Sequence, residues 1–276
     1  MGTDSKMSET ISNGLCFTIL HKPNTKVYCI DGEVLVGEED ALTIYDQFAT
    51  LSPSFSLAEV YGDIIRFINE VYDALCKKKK AKDPSTIFVF IKNLQYLDLV
   101  KQMLKGEWIE ESEYIDLDEN EVDEGSTPTE TTEDFFNFGL EVGDFSKKLN
   151  TSSSTNKKMG QNLNVSQKLL KLITEGSSVG IHFIVSSLEF QTIKETLFEV
   201  NMNINKLIQK FPERLLFSLN DMDAGMLIDH SVTISGLPDN TAYYTDSINT
   251  ICMVKPFQFP NLEQLQEYTN KKGKKS

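Results

Sequence analysis

The sequence predicts an α/β protein whose mainly parallel sheet is flanked by helices. Strand-like and helix-like runs alternate over most of the 276 residues, the pattern that builds parallel sheets with right-handed crossovers. Two of those runs, "STIFVFI" (85–91) and "GIHFIVSS" (180–187), lack polar alternation at their centres. A strand buried on both faces reads that way. Just upstream of the first, Val60, Ile64, Phe67, Ile68, Val71 and Leu75 recur at the three- and four-residue spacing of one helix face.

In chain order, residues 8–20 read as a helix, with Ile11, Leu15, Phe17 and Leu20 spaced for an apolar face. "KVYCIDG" (26–32) is a β-rich run closed by Asp-Gly, a strand entering a turn. Two helices follow, the second over about 57–76, and Lys77 to Lys80 suit a solvated C-terminal end where cations complement the dipole. The 85–91 strand leads to a helix over about 94–105. Beyond residue 162 the pattern gives a helix at 165–175, then the 180–187 strand, in which His182 is expected as a packed or hydrogen-bonded core residue. Short helices are expected over about 190–209, a strand at 213–219, a helix at 221–229, strands at 241–245 and 249–254, and a last helix near 261–269.

Composition narrows the classes. Apolar residues at 40% and aromatics at 10% suit a soluble globular chain with a sizeable core. The longest apolar runs, such as Ile87–Ile91, fall far short of the ~20 residues of a membrane helix. The N-terminus shows no signal-peptide core, and its Met-Gly start misses the myristoylation pattern because Lys6 stands at the Ser/Thr position. Cys16, Cys29, Cys76 and Cys252 form no CxxC pair, and with three His they suggest reduced core thiols rather than a metal site. A cytoplasmic location follows as the expectation, with no metal.

The formal net charge of −14 is concentrated in one place. Residues 107–134 hold 13 Asp and Glu, with no Lys or Arg between Gly106 and Ser146; removing those 13 charges leaves the remainder near −1. With the Ser/Thr/Asn-rich stretch at 150–156, residues 107–162 form an acidic insert whose composition predicts disorder. Trp108 at its start and the Phe135-Phe136-Asn137-Phe138 cluster are its candidate contact points. The predicted organisation is one domain in two halves, 1–106 and 163–276, around the insert 107–162.

At the N-terminus, Gly2-Thr3-Asp4-Ser5-Lys6-Met7-Ser8 outlines a phosphate-binding loop. The working pattern G-x-x-x-x-G-K-[ST] uses glycines so that backbone N–H groups cradle phosphates, a Lys for the outer phosphates and a Ser/Thr for Mg²⁺. Against its common form G-x-T-G-S-G-K-S, Thr3, Ser5 and Ser8 fit; Asp4 and Lys6 stand where glycines should be, and Met7 replaces the lysine.

Four blocks in order, "NTKVYCIDGE", "STIFVFI", "GSSVGIHFIVSS" and "KFPERLLFSLNDMDAGMLID", make the chain similar to the FtsK/SpoIIIE family of hexameric DNA translocases, and to the degenerate ATPase domains of type VII secretion motors, and the resemblance in turn implies that "GTDSKMS" is a degenerate P-loop. The resemblance covers nearly the whole chain. It implies a RecA-like P-loop NTPase core entered in the middle of its phosphate loop, so that the sequence begins inside a longer protein. The family's cofactors are ATP and Mg²⁺, and its partners are neighbouring ATPase domains or subunits in a ring, with DNA as a further possible partner.

The same resemblance places Lys92 and Asn93 where the family carries its Mg²⁺-holding Asp and water-polarising Glu. Leu188 stands at the γ-phosphate sensor and Glu189 at a usual Arg. Arg214, Asp223 and Asp229 match, Arg214 as a candidate for contact with a neighbouring subunit and the two aspartates as structural groups. A cation at a metal position repels the metal by several kcal/mol at ~4 Å even at an effective dielectric near 20. Losing a single charge-stabilising group costs about 10²–10³ in rate. The expectation is a catalytically degenerate structural or regulatory module that binds no cofactor itself. The rival readings are an active ATP-dependent DNA translocase, and an adaptor that binds a partner through the acidic insert.

Overall fold

The computed structural model describes residues 5–37, 39–81, 83–106, 163–188, 210–217, 227, 237–238, 240–246, 251–255 and 262–273. The expected helix at 190–209, that at 221–229 apart from Leu227, the acidic insert with Trp108 and the Phe cluster, Gly2, Thr3, Asp4, Glu189, Asp223 and Asp229 lie outside those residues. The described elements are α1 (Ser5–Leu20), β1 (Thr25–Asp31), α2 (Gly32–Leu35), α3 (Glu39–Leu51), β2 (Phe55–Leu57), α4 (Tyr61–Lys80) and β3 (Thr86–Lys92). After a 3₁₀ turn at Leu94–Tyr96 come α5 (Asp98–Lys105), α6 (Val165–Glu175), a second 3₁₀ turn at Gly176–Val179, β4 (Ile181–Val185), β5 (Arg214–Leu216), β6 (Ala242–Thr245), β7 (Ile251–Val254) and α7 (Leu262–Gly273).

β1 to β4 form a parallel sheet in the order β2-β1-β3-β4, and β5 to β7 a separate antiparallel sheet. The later strands therefore do not extend the parallel sheet, as their sequence pattern alone left open. The uninterrupted apolar run of β3 has a direct explanation, because its strand is packed on both faces, whereas β4 is half-buried beyond Ile181. Tyr28, Ile30, Val89 and Ile91 face one core with Phe67 and Val71 of α4, Met103 of α5 and Leu169 of α6. Val27, Cys29 and Phe90 face the other with Cys16 of α1, Phe48 of α3 and Leu265 of α7.

Several local features differ from the sequence reading. The periodic run expected over 57–76 begins with a short strand, β2, and α4 then starts at Tyr61 and continues through the lysines. Val60 precedes the helix and is exposed, and its N–H donates to Asp63 Oδ2 (3.3 Å), which supports the helix start. Lys78 is buried rather than solvated. Its ammonium donates to the Ser85 carbonyl and, at 3.4 Å, to the Asp83 carbonyl, which ties the end of α4 to the start of β3. At the start of α6, Asn164 and Gln167 exchange backbone and side-chain hydrogen bonds in a reciprocal cap. No helix among the described residues is long and apolar enough to cross a membrane.

Candidate functional site

Parallel strands deliver their C-terminal ends to one edge of the sheet, the edge at which α/β proteins usually bind ligands. Here β1 ends in Asp31 and β3 ends in Lys92, and the register places the two directly opposite each other. Alternation along each strand puts both on the face packed by α1 and α3, since Asp31 follows Val27 and Cys29, and Lys92 follows Phe90. That geometry makes an ion pair unavoidable. Lys92 Nζ lies 3.0 Å from Asp31 Oδ2, with the two residues 4% and 1% exposed.

The surrounding elements complete the cluster. Lys92 Nζ also donates to Asn13 Oδ1 of α1 at 3.0 Å and to the Tyr45 hydroxyl of α3. The Tyr45 hydroxyl in turn donates to Asp31 Oδ2. Asp31 Oδ1 accepts from Asn93 Nδ2 (2.8 Å) and from the Glu33 backbone N–H (3.1 Å), the latter bond starting α2. Asn93 sits in the left-handed region at φ 53°, which Asn tolerates better than most residues. Gly32 is required by close approach, because an added Cβ would lie 2.5 Å from the Asn93 carbonyl oxygen and 2.8 Å from Tyr96 Cβ.

Protonation follows from these contacts. Burial alone pushes the Asp31 carboxyl up, but the Lys92 charge and the bonds from Tyr45 and Asn93 outweigh it and hold it below the usual carboxylate value. Burial opposes the Lys92 charge, and the Asp31 carboxylate outweighs that and raises the ammonium above its ordinary value. Both groups are thus charged at neutral pH. Burial likewise pushes the neighbouring Cys29 thiol up to about 12 and the Cys16 thiol well up, so both are packed, protonated thiols.

The other predicted site residues that are described make contacts of their own outside this cluster. α1 begins at Ser5, so Met7 and Ser8 fall in helix rather than loop, and both are buried; Met7 packs with Phe217 and Ala242. The Leu188 backbone N–H donates to Gln95 Oε1 at 3.2 Å, as does the Ser187 hydroxyl. Arg214 opens β5, half-buried, and donates from Nε to the Phe211 carbonyl (2.9 Å) and from Nη1 to the Leu227 carbonyl (2.7 Å). It is a staple within its own chain, which the expectation of a surface or interface arginine did not include. His182 stacks on Phe88 with ring centroids 5.2 Å apart, and burial lowers its pKa. Among the described residues no group of three His, Cys, Asp or Glu is placed to hold a metal.

Sequence reasoning singled out Lys92 and Asn93 but missed Asp31, Tyr45 and Asn13. Asp31 was legible only as the turn residue of "IDG". A carboxylate closing an otherwise apolar strand, beside a second strand that closes in Lys, was the available signal.

No family model matches the sequence, and no curated protein matches it. Solved structures do match in fold. One is the Thermomonospora curvata EccC, ATPases 2 and 3, in complex with a signal sequence peptide, at TM-score 0.54 and 11% identity. Another is the cytoplasmic domain of the Thermomonospora curvata type VII secretion ATPase EccC, at TM-score 0.52 and 11% identity. Each alignment covers 94% of this chain, and the chain spans 36% and 23% of the two structures. The shared feature is the architecture, a RecA-like ATPase-domain fold.

Proposed function

We infer that this chain is a RecA-like module that neither holds nor hydrolyses ATP, and that serves as a structural or regulatory part of a secretion-type translocation motor. One observation carries the reading. The end of β3, where the FtsK/SpoIIIE resemblance puts the metal-holding acid, carries a buried ammonium whose charge is matched internally by Asp31. Both oxygens of that carboxylate are engaged, Oδ2 by Lys92 and Tyr45 and Oδ1 by Asn93 and the Glu33 N–H. A magnesium ion would have to displace a paired cation and strip a satisfied carboxylate, so Mg²⁺-ATP does not suit these residues. Met7 adds to the case, being an apolar residue packed in a cluster rather than a lysine free to reach a phosphate.

The fold shared with a multi-domain secretion ATPase supports neighbouring ATPase domains as the partners, and the peptide-bound form of that relative favours polypeptide over DNA as the cargo of the assembly. In this reading the module contributes packing surface while another domain performs hydrolysis. The test is calorimetry with MgATP together with a turnover assay on the purified chain. Affinity in the micromolar range, or turnover above the buffer blank, overturns the reading. Met7→Lys alone is expected to restore nothing, because Lys92 and Asn93 still replace the metal-holding and water-orienting acids.

A further inference from the structure

Helices α1, α3 and α7 share one apolar core with the face of the parallel sheet that holds the Lys92–Asp31 pair. Two of them supply groups to the pair, α1 through Asn13 and α3 through the Tyr45 hydroxyl. The third, α7, packs on α3 and enters the core through Leu265, which is 1% exposed. That core contains Cys16 and Phe48, each about one helical turn from Asn13 or Tyr45. At the end of α1, the rings of Phe17 and His21 meet Tyr268 of α7, edge-on at 5.6 and 5.7 Å between centroids. His21 Nδ1 lies 2.8 Å from the Phe17 carbonyl oxygen, and Nε2 lies 3.0 Å from the Tyr268 hydroxyl. α7 therefore braces both helices that close on the pair.

Its attachment is slight beside that of the other long helices. α4 buries Ile64, Phe67, Ile68, Val71 and Leu75, and α6 buries Val165, Leu169, Leu172 and Ile173. In α7 the large apolar or aromatic side chains are Leu262, Leu265 and Tyr268, and of its described side chains Leu265 alone is buried. The Lys271–Glu267 ion pair, at 3.3 Å, stays within the helix. A helix of 12 residues is marginal in water by itself, so α7 depends on its docking for its structure. Elements with few buried apolar contacts open locally at lower free energy than the core they rest on. α7 is such an element, with Leu265 and Tyr268 spaced to lie on one face.

We propose that α7 is a releasable strap across α1 and α3. It opens as a unit while the rest of the body stays folded, and its release loosens the two helices that seal the Lys92–Asp31 pair. The loosening follows from the packing. Without Leu265 the core around Cys16 and Phe48 is opened to water, and without Tyr268 the Phe17–His21 end of α1 loses its ring partner. β1 and β3 keep their ladder, so Asp31 and Lys92 stay opposite each other. What slackens is the hold of Asn13 and Tyr45 on the ammonium. The strap gives the module two states without any nucleotide, and a partner that takes up the Leu265 and Tyr268 face of the released helix selects the loose one. The inference rests on the buried pair itself, not on the functional reading drawn from it.

The test is amide hydrogen exchange on the full chain, repeated at urea concentrations well below the unfolding midpoint. The amides of α7 are expected to exchange at least about a hundredfold faster than those of β1 and β3, through an opening with little urea dependence. Leu265→Ala removes the buried anchor and keeps a good helix former. It is expected to speed exchange in α7 at least about tenfold, and in the turns around Asn13 and Tyr45 at least about threefold, with α4 and α6 unchanged. Tyr268→Phe removes only the hydroxyl that meets His21. It is expected to move the same amides the same way by about twofold or more, and it carries the test should Leu265→Ala fail to fold. Exchange of α7 at the rate of β1 and β3 overturns the proposal, because the helix then opens only with the whole body. So does an α7 that opens alone while α1 and α3 keep their original rates in both variants. Turnover of MgATP would remove the functional reading above and leave this result untouched.

Discussion

Replacing Lys92 by Met removes the charge from the buried cluster while keeping a side chain of similar length. The Asp31 carboxylate, 1% exposed, then keeps its bonds from Tyr45, Asn93 and the Glu33 N–H but loses the one cation paired with it among the described residues. Breaking a buried pair from one side costs about 3–5 kcal/mol. The three remaining hydrogen bonds place the expected loss at the lower end of that range. For a domain of this size 1 kcal/mol moves the melting point by roughly 2–4 °C, so a fall of roughly 6–12 °C is expected. Asp31→Asn combined with Lys92→Met removes both charges and should recover most of the loss. The sign of the pH dependence follows from the two shifts. Asp31 titrates below its unfolded value, so its contribution is present above about pH 4 and disappears as pH falls through the depressed folded value. Lys92 titrates above its unfolded value, so its contribution is full below about pH 10 and disappears as pH rises through the raised folded value. Chemical denaturation of wild type and variant across pH should therefore give a constant difference between about pH 5 and 9 that shrinks only outside it. A loss below about 1 kcal/mol for Lys92→Met, or a double variant less stable than the single one, would refute the internally matched pair.

Other expected outcomes follow from neighbouring contacts. Arg214→Ala should destabilise the chain by roughly 1.5–3 kcal/mol, since a half-buried guanidinium holding two backbone carbonyls is lost; a melting point unchanged within error would show that the staple contributes nothing. Gly32→Ala should cost about 1–3 kcal/mol through overpacking against the Asn93 carbonyl and Tyr96, read by urea denaturation, whereas Gly62→Ala, with open space around it, should be close to neutral. Replacing residues 107–162 by a short flexible linker should leave the melting point within roughly 2–4 °C, as expected if this acidic segment adds no more than about 1 kcal/mol; a larger fall would mean that it packs on the body.

The sequence by itself determined the alternation of strands and helices, the apolar runs of 85–91 and 180–187, and the departure of Met7, Lys92 and Asn93 from the residue types that the FtsK/SpoIIIE resemblance implies for a nucleotide site. These are local properties. Side-chain period and residue type are carried by neighbours in the chain, and both survived into β3, β4 and α4. The sequence could not say that Lys92 is satisfied rather than merely misplaced. Its partners are separated from it by 79, 61 and 47 residues, and only the β1–β3 register and the packing of α1 and α3 on one face bring Asn13, Asp31 and Tyr45 to its ammonium. Tertiary structure also decided that β5 to β7 form their own antiparallel sheet, because strand propensity fixes an extended backbone and not its neighbour. It buried Lys78, which the run of four lysines presented as solvated, because one position of the last turn of α4 faces the carbonyls that lead into β3. A charged residue's fate is set by what surrounds it in space, and at Lys92 and Lys78 alike that surrounding is built by segments the local pattern cannot pair.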